Sequence, residues 1–295
     1  MRIFSRLSLL AIFLLVFLTV SAAAQIANCG NLDYACLIAA YTKQISTNPN
    51  DIEAYYERGR AFMSNENFDQ AIADFSHYIS MNPAKKEYLA DGYNNRATCY
   101  KHKNSLDMAI ADYNKAIQLV PTNPLYYDNR GNVYSEKKSF DQAIADFSSA
   151  ISSKPEYSTA YVGRGHAYMG KNDYPSAFAD FTKAIQINPD EAEAYYNRAI
   201  IHNSRKDFEK AIADYDKYIM LNTSNIPFLS DGYQNRALAY LDIGNLAQAL
   251  KDLTAAIDLE PTRASLYKSR AIVYRKQGKV ALAEADERKA ASLLK

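Results

Sequence analysis

The sequence lacks the residue groupings on which most enzyme and metal sites depend. It contains no tryptophan, three cysteines and only four histidines. His77, His102, His166 and His202 are scattered, and no two of them have the i, i+4 spacing with which a helix binds a metal ion. Neither a phosphate-binding loop G-x-x-x-x-G-K-S/T nor a dinucleotide fingerprint G-x-G-x-x-G occurs. We therefore expect no enzymatic activity, no cofactor and no metal ion.

An excess of one sign of charge is also missing. The chain has 34 lysines and arginines against 33 aspartates and glutamates, a net charge of +1, and the two signs are interspersed. Proteins that bind nucleic acid usually present a basic face to the phosphates. We therefore expect no nucleic-acid partner.

The N-terminus has the pattern of an export signal. Arg2 and Arg6 precede an apolar run over residues 7–20, and Ser21-Ala22-Ala23-Ala24 supplies small residues for cleavage. We predict a signal peptide at residues 1–24 and a periplasmic or secreted mature protein. The alternative is an uncleaved membrane anchor, because the apolar run is just long enough to span a bilayer.

The few cysteines agree with export. Cys29 and Cys36 enclose six residues and could form a disulfide in an oxidising compartment, holding the mature N-terminus on the first helix. Free thiols are the alternative, whereas a zinc site lacks further ligands nearby. Cys99 occupies an apolar helical position and is interpreted as a small core residue.

Residues 124–155 form a unit that recurs along the chain. Apolar or small residues fall at i, i+4 and i+7 in each half of it: Tyr127, Gly131 and Tyr134, then Ala143, Phe147 and Ala150. This spacing predicts two amphipathic helices that pack against each other across a short polar turn. Pro155 ends the second helix.

Seven copies of this hairpin occupy residues 50–295, after an N-terminal half-copy at residues 25–49. The first aromatic position of each copy is a tyrosine: Tyr55, Tyr93, Tyr127, Tyr161, Tyr195, Tyr233 and Tyr267. The half-copy corresponds to a second helix, with Leu37 and Tyr41 at its apolar positions. It would cover the apolar face of the first full hairpin.

The pattern resembles the tetratricopeptide repeat family, whose 34-residue unit reads W-x2-L-G-x2-Y, then A-x3-F, then P. Here it reads Y-x2-R-G/A-x2-Y, A-x3-F/Y and P, so tyrosine replaces tryptophan and arginine replaces leucine. The resemblance implies an all-α, right-handed superhelical solenoid of antiparallel helix hairpins. It also implies that the first helices line a concave face that binds a protein or peptide.

An arginine and an aspartate recur in every copy, at the edges of the two apolar stripes. The arginines are Arg58, Arg96, Arg130, Arg164, Arg198, Arg236 and Arg270, and the aspartates are Asp74, Asp112, Asp146, Asp180, Asp214, Asp252 and Asp286. A half-buried charge without a partner costs several kcal/mol, so we predict internal ion pairs, within one repeat or between two. An anion-binding track is the alternative.

Two junctions between copies are longer than the others. Nine residues separate Pro83 from Tyr93 and Thr223 from Tyr233, whereas five separate Pro121 from Tyr127. Loops absorb insertions at low cost, which favours two extended loops. Because four residues make about one helical turn, a first helix that begins one turn early is the alternative.

Most candidate partner-binding residues follow from the family geometry, which implies a concave face lined by the residues one and five positions after the first tyrosine; Leu241 is added because the hairpin stripe does not need it. The candidates are Tyr56, Arg60, Asn94, Asn132, His166, Tyr196, Ile200, Leu238, Leu241 and Ile272. The last four could form an exposed apolar strip that binds a partner, or could pack between successive first helices. A clamp for a C-terminal carboxylate is not matched, because Asn129 and Asn132 lack the flanking lysines.

The sequence therefore predicts an exported scaffold that binds a protein or peptide on its concave face. Two other functions stay open: a membrane-tethered organiser of an envelope complex, and a structural protein that assembles with itself. The oligomeric state and the partner are not specified by the pattern.

Overall fold

A computed structural model describes residue 29 and residues 33–294 of the chain. Within this part there are fifteen helices and no strand, as the repeat pattern predicts. None of these helices combines the length and apolar character needed to cross a membrane. The proposed signal peptide at residues 1–24 lies outside the described residues.

The chain divides into two compact units, Met1–Ser139 and Phe140–Lys295, which we call the N-terminal and C-terminal units. The helices of the N-terminal unit are α1 (Tyr34–Thr47), α2 (Ile52–Ser64), α3 (Phe68–Ser80), α4 (Lys86–His102), α5 (Leu106–Leu119) and α6 (Pro124–Glu136). Here α2–α3 and α4–α5 are hairpins, and each helix packs against the next one in the chain. The first helices α2 and α4, and α4 and α6, also touch.

The C-terminal unit has the same construction. Its helices are α7 (Phe140–Ser153), α8 (Ser158–Gly170), α9 (Tyr174–Ile187), α10 (Ala192–Ser204), α11 (Phe208–Leu221), α12 (Ile226–Asp242), α13 (Leu246–Leu259), α14 (Ala264–Lys276) and α15 (Val280–Ser292). Each helix again packs against its neighbours in sequence, and α12 also touches α14. The predicted all-α class and hairpin architecture are confirmed.

Local sequence explains where the helices begin and turn. Side chains of Asp51, Asp173 and Asn225 accept hydrogen bonds from backbone amides in the first turn, which otherwise lack partners. The turn between the two helices of a hairpin contains one residue with positive φ: Glu66, Asn104, Lys138, Asn172, Lys206, Gly244 or Gly278. Glycine meets this requirement without steric cost.

The small residue of each first helix lets the second helix approach closely. A Cβ added to Gly59 would lie 2.9 Å from the ring of Phe75, and one added to Gly165 would lie 2.7 Å from the ring of Phe181. Both rings are fully buried. The glycine and phenylalanine positions of the repeat therefore form one contact, which fixes the separation of the two helices.

In six copies the predicted ion pair is present, and it closes within the repeat. Arg58 donates through Nε and Nη2 to both carboxylate oxygens of Asp74, at 2.8 and 2.7 Å. The same bidentate pairing joins Arg96 to Asp112, Arg164 to Asp180, Arg198 to Asp214, Arg236 to Asp252 and Arg270 to Asp286. These six arginines are structural, which argues against an anion-binding track.

Several of these arginines also bond to the second helix of the preceding copy. Nη1 of Arg58 donates to Thr42 in α1, that of Arg96 to Ser76, and that of Arg164 to Ser148. At Arg236 the acceptor is a carboxylate, Asp216, at 2.6 Å. The arginine therefore links its own hairpin to the previous one.

The preference for extended loops at the two long junctions is wrong. Helices α4 and α12 have 17 residues, whereas the other first helices have 13. The hydroxyl of Tyr78 in the preceding helix donates to the backbone oxygen of Tyr88 in the extra turn of α4, at 3.2 Å. Just after the added residues, Tyr78 and Tyr218 pack against Gly92 and Gly232, where an added Cβ would lie 2.8 and 2.9 Å away. These contacts favour a helical turn over a loop.

The N-terminal half-copy is α1, which packs on α2 as a second helix would. Asp33 caps α1 by accepting a hydrogen bond from the backbone amide of Cys36. A disulfide joins Cys36 to Cys29, with the two Cα atoms 5.7 Å apart. Cys99 is a free, fully buried thiol, in agreement with its interpretation as a core residue.

Candidate functional site

The ten predicted partner-binding residues differ widely in exposure. Arg60 and Ile272 are exposed, Asn94 and Leu241 are buried, and the remaining six, Tyr56, Asn132, His166, Tyr196, Ile200 and Leu238, are half-buried. The family position alone therefore does not make a residue accessible.

The expected apolar strip is interrupted. Leu241 is only 7% exposed and packs in a cluster with Ala249 and Leu253 of its own hairpin and Val273 of α14. Leu238 packs against the same cluster. Of the two alternatives for Leu241, packing against the next first helix applies.

Asn94 and Asn132 take part in internal hydrogen bonds of the N-terminal unit. Asn94 is 6% exposed and its Oδ1 accepts from Nδ2 of Asn129 at 2.9 Å. Asn132 donates to Asp128, whose burial raises the pKa of its carboxyl to about 6. The burial and the internal hydrogen bond of Asn94 argue against a direct contact with a partner.

A cavity of 480 Å³ in the C-terminal unit brings together two of the predicted residues, His166 and Tyr196. We call it the Tyr196 pocket. Its lining comprises His166, Asp190, Glu191, Ala192, Glu193, Tyr196, Asn197, Tyr218, Asn222, Phe228 and Asp231. These residues come from α8, the residues just before α10 and its first two turns, the end of α11 with Asn222, and the first two turns of α12. Phe228 is supplied by the extra turn of α12.

Aromatic rings form one wall of the Tyr196 pocket. The rings of Tyr196 and Tyr218 lie 4.8 Å apart between centroids, tilted by 42°. Nδ2 of Asn235 donates to the Tyr196 hydroxyl at 2.9 Å, which fixes the ring. Burial raises the pKa of Tyr196 and of Tyr218, so both are neutral phenols at pH 7.

Carboxylates surround the aromatic wall. Asp190, Glu191, Glu193 and Asp231 line the cavity, and no lysine or arginine does. Asp231 is paired with Arg263 from outside the lining, at 2.6 Å, and Glu191 accepts hydrogen bonds from Ser158 and Asn188. Nε2 of His166 lies 3.5 Å from Glu193, whose side chain is 61% exposed. The pocket is therefore acidic.

The N-terminal unit contains a smaller counterpart, the Tyr56 pocket. A cavity of 230 Å³ is lined by Glu53, Tyr56, Tyr78, Tyr88 and Asp91. The rings of Tyr56 and Tyr78 lie 4.9 Å apart at 41°, and Asn95 donates to the Tyr56 hydroxyl at 3.1 Å. Each of these residues lies 140 positions before its equivalent in the Tyr196 pocket.

Sequence reasoning missed Tyr78, Tyr218 and the two aspartates Asp91 and Asp231, although a signal was present. The two tyrosines replace an alanine that the other five copies carry at this position: Ala116, Ala150, Ala184, Ala256 and Ala290. They occur in the two copies that precede the four-residue insertions. In both cases a tyrosine in place of alanine accompanies the insertion, which indicates that the two changes belong to one structural feature.

Comparison with known proteins agrees with this architecture. Models of the tetratricopeptide repeat match residues 52–85, 90–123, 129–192, 162–225 and 235–293. No match is found among curated proteins.

Three solved structures illustrate the likeness. A tetratricopeptide repeat protein from Parabacteroides merdae is 22% identical, with a TM-score of 0.60, and the match covers 82% of this chain and 93% of that one. The C-terminal part of a repeat protein from Cytophaga hutchinsonii is 21% identical, with a TM-score of 0.61 and coverages of 81% and 95%. PilF from Pseudomonas aeruginosa is 17% identical, with a TM-score of 0.62 and coverages of 71% and 92%. At these identities the structures share the fold, and the matched models show that this chain belongs to the tetratricopeptide repeat family.

Proposed function

We propose that this protein is an exported scaffold that binds a protein or peptide partner on the face lined by the first helices of its repeats. The family fold supports the role of interaction scaffold. The observation that carries the proposal is the Tyr196 pocket, where aromatic rings, an amide and carboxylates meet in a cavity large enough for a side chain of a partner.

The pocket has the composition of an interaction centre. Phe228 and Ile226, both in the first turn of α12, are 50% and 51% exposed, so an apolar edge adjoins the acidic cavity. Tyrosine and phenylalanine at the middle of an interface, with polar groups around them, contribute most of the binding energy in typical complexes.

Affinity capture from an envelope extract tests the scaffold role. The wild-type protein is compared with Tyr196→Ala and with the control Lys183→Ala, which changes an exposed residue of a second helix. We expect the same proteins to be recovered by wild type and control and lost with Tyr196→Ala, and then to bind as purified proteins. Recovery that does not depend on Tyr196 would contradict the proposed site.

Export rests on the pattern of residues 1–24 and has its own test. We expect the mature protein in the soluble envelope fraction, with a mass that corresponds to cleavage after Ala24. A full-length chain in the membrane fraction would support the tethered alternative instead.

Self-assembly is the second candidate, and exposed apolar side chains of α15 favour it. Val280 and Leu282 are 50% and 48% exposed. Light scattering over a range of concentrations tests it: a mass that rises with concentration, and falls with Leu282→Glu, would support assembly.

A further inference from the structure

We propose that the Tyr196 pocket binds an arginine side chain of the partner, whereas the Tyr56 pocket does not because an arginine of this chain already lies over its tyrosine. The proposal rests on the scaffold function above and names the chemistry that the partner must carry.

The lining of the Tyr196 pocket is acidic. Four carboxylates line the Tyr196 pocket and only one of them, Asp231, has a guanidinium partner. Asp190 and Glu193 are exposed in the free protein, and a neutral side chain that enters the cavity would remove water from them without supplying a positive charge. The lining therefore selects a cation.

The Tyr196 pocket also has an aromatic wall. A guanidinium stacks on the face of a neutral tyrosine, and its planar fork can donate to a carboxylate at the same time. A lysine ammonium is more strongly hydrated and lacks the planar fork. Tyr218 is only 6% exposed, so the half-buried ring of Tyr196 is the one that can stack with a guanidinium. Its position in the same lining as Glu193 and Asp231 favours arginine over lysine.

This chain uses the same combination internally. The six arginines that pair with an aspartate of their own repeat also lie over a tyrosine ring. Cζ of Arg58 is 5.6 Å from the centroid of Tyr55, and Cζ of Arg236 is 5.5 Å from that of Tyr233. The arrangement of tyrosine, guanidinium and carboxylate is therefore one that this fold satisfies repeatedly.

In the N-terminal unit an arginine of the same helix lies over the equivalent tyrosine, beside the residues that line the Tyr56 pocket. Cζ of Arg60 lies 5.9 Å from the centroid of Tyr56, and Arg60 pairs with Glu57 at 3.0 Å. The residue 140 positions later is Ile200, one turn after Tyr196 on α10. The C-terminal unit thus keeps the tyrosine and the acidic groups but has an apolar side chain in place of the guanidinium on the same helix.

Binding of short peptides tests the proposal. The probes are fluorescein-labelled octapeptides with blocked termini that differ only at one central residue: arginine, lysine or citrulline, the uncharged isostere of arginine. Fluorescence anisotropy with the full chain at low salt should give about tenfold tighter binding for arginine than for citrulline, with lysine between them. Raising the salt should weaken arginine binding and leave citrulline binding nearly unchanged.

Two variants separate the site from general attraction to acidic surface. Ile200→Arg supplies the internal guanidinium that the Tyr56 pocket has, and should reduce arginine binding to the level of citrulline. Tyr196→Leu removes the ring face and should have the same effect. Lys183→Ala, which changes an exposed residue of a second helix, is the control and should leave arginine binding unchanged. Circular dichroism checks that each variant is folded.

The outcomes distinguish this proposal from the scaffold function. Equal affinity for arginine and citrulline, or arginine binding that survives Ile200→Arg in a folded protein, would overturn the arginine site. If capture of a partner still depended on Tyr196, the scaffold function would stand without it.

Discussion

The two tyrosine pockets are built at equivalent positions of the N-terminal and C-terminal units, yet their contents differ. Both have a tyrosine pair at 4.8 to 4.9 Å and an asparagine that holds one hydroxyl. The Tyr56 pocket is half the size and has Arg60 near its ring, whereas the Tyr196 pocket has Ile200 at that position and four lining carboxylates. The packing of the helices can thus stay the same while the side chains at the surface change, and function depends on the few positions that differ between copies.

The largest expected effect on stability concerns two equivalent ion pairs, Arg96–Asp112 in the N-terminal unit and Arg236–Asp252 in the C-terminal unit. Asp112→Ala should lower the free energy of unfolding of the N-terminal unit by about 3–5 kcal/mol, because it leaves a half-buried Arg96 without its carboxylate. Asp252→Ala, 140 positions later, should cost less, since Arg236 keeps its second partner Asp216. Urea denaturation followed by circular dichroism measures both, and equal losses would show that Asp216 does not share the charge.

The next effect concerns Asp128, which is buried in the N-terminal unit; its equivalent in the C-terminal unit is the exposed Lys268. Burial raises the pKa of Asp128 to about 6, so the carboxyl takes up a proton on folding between pH 4 and 6, and stability falls as the pH rises through that window. Asp128→Asn should therefore raise the free energy of unfolding by about 1–3 kcal/mol at pH 7.5 and have little effect near pH 4.

Lys268→Asn is the control for this measurement and should change stability by less than about 0.5 kcal/mol at either pH. Urea denaturation at the two pH values gives the comparison. A gain for Asp128→Asn that is the same at pH 4 and pH 7.5 would show that the charge of Asp128 is not its cause.

The smallest effect separates the two tyrosines that hold the extra helical turns. The hydroxyl of Tyr78 donates to the backbone oxygen of Tyr88 at 3.2 Å, and no equivalent bond from Tyr218 to Phe228 is present in the described part of the chain. Tyr78→Phe should cost about 0.5–1.5 kcal/mol, whereas Tyr218→Phe should be nearly neutral. Thermal unfolding of the two variants measures this, and an equal loss would mean that the two turns are held alike.

Much of the fold could be predicted from the sequence, because the repeat fixes it through local spacing. The tyrosine, glycine and alanine positions predict both helices of every hairpin, and the recurring arginine and aspartate predict the ion pairs. The length of α4 and α12 was misjudged, since a four-residue insertion fits a loop as well as a helical turn. Whether the insertion forms a loop or a helical turn depends on packing near Tyr78 and Tyr218, which the spacing of residues along the sequence does not show.

The candidate site was predicted only in part. His166 and Tyr196 do line the same cavity. Asn94 and Leu241 are buried, which spacing does not show, because the exposure of a position depends on the neighbouring side chains in each copy. The other half of the pocket comes from a second helix and an extra turn, elements that the family geometry does not assign to the binding face.

Exchanging the two positions that distinguish the pockets tests the central claim most directly. An arginine octapeptide that carries a benzoylphenylalanine crosslinker is photolysed with the wild-type chain and with the double variant Arg60→Ile, Ile200→Arg, and the crosslinked residues are identified by mass spectrometry. We predict crosslinks within residues 166–231 for the wild type and within residues 53–91 for the double variant. Crosslinks that stay at the same residues in both proteins, or that are spread over the chain, would contradict the account.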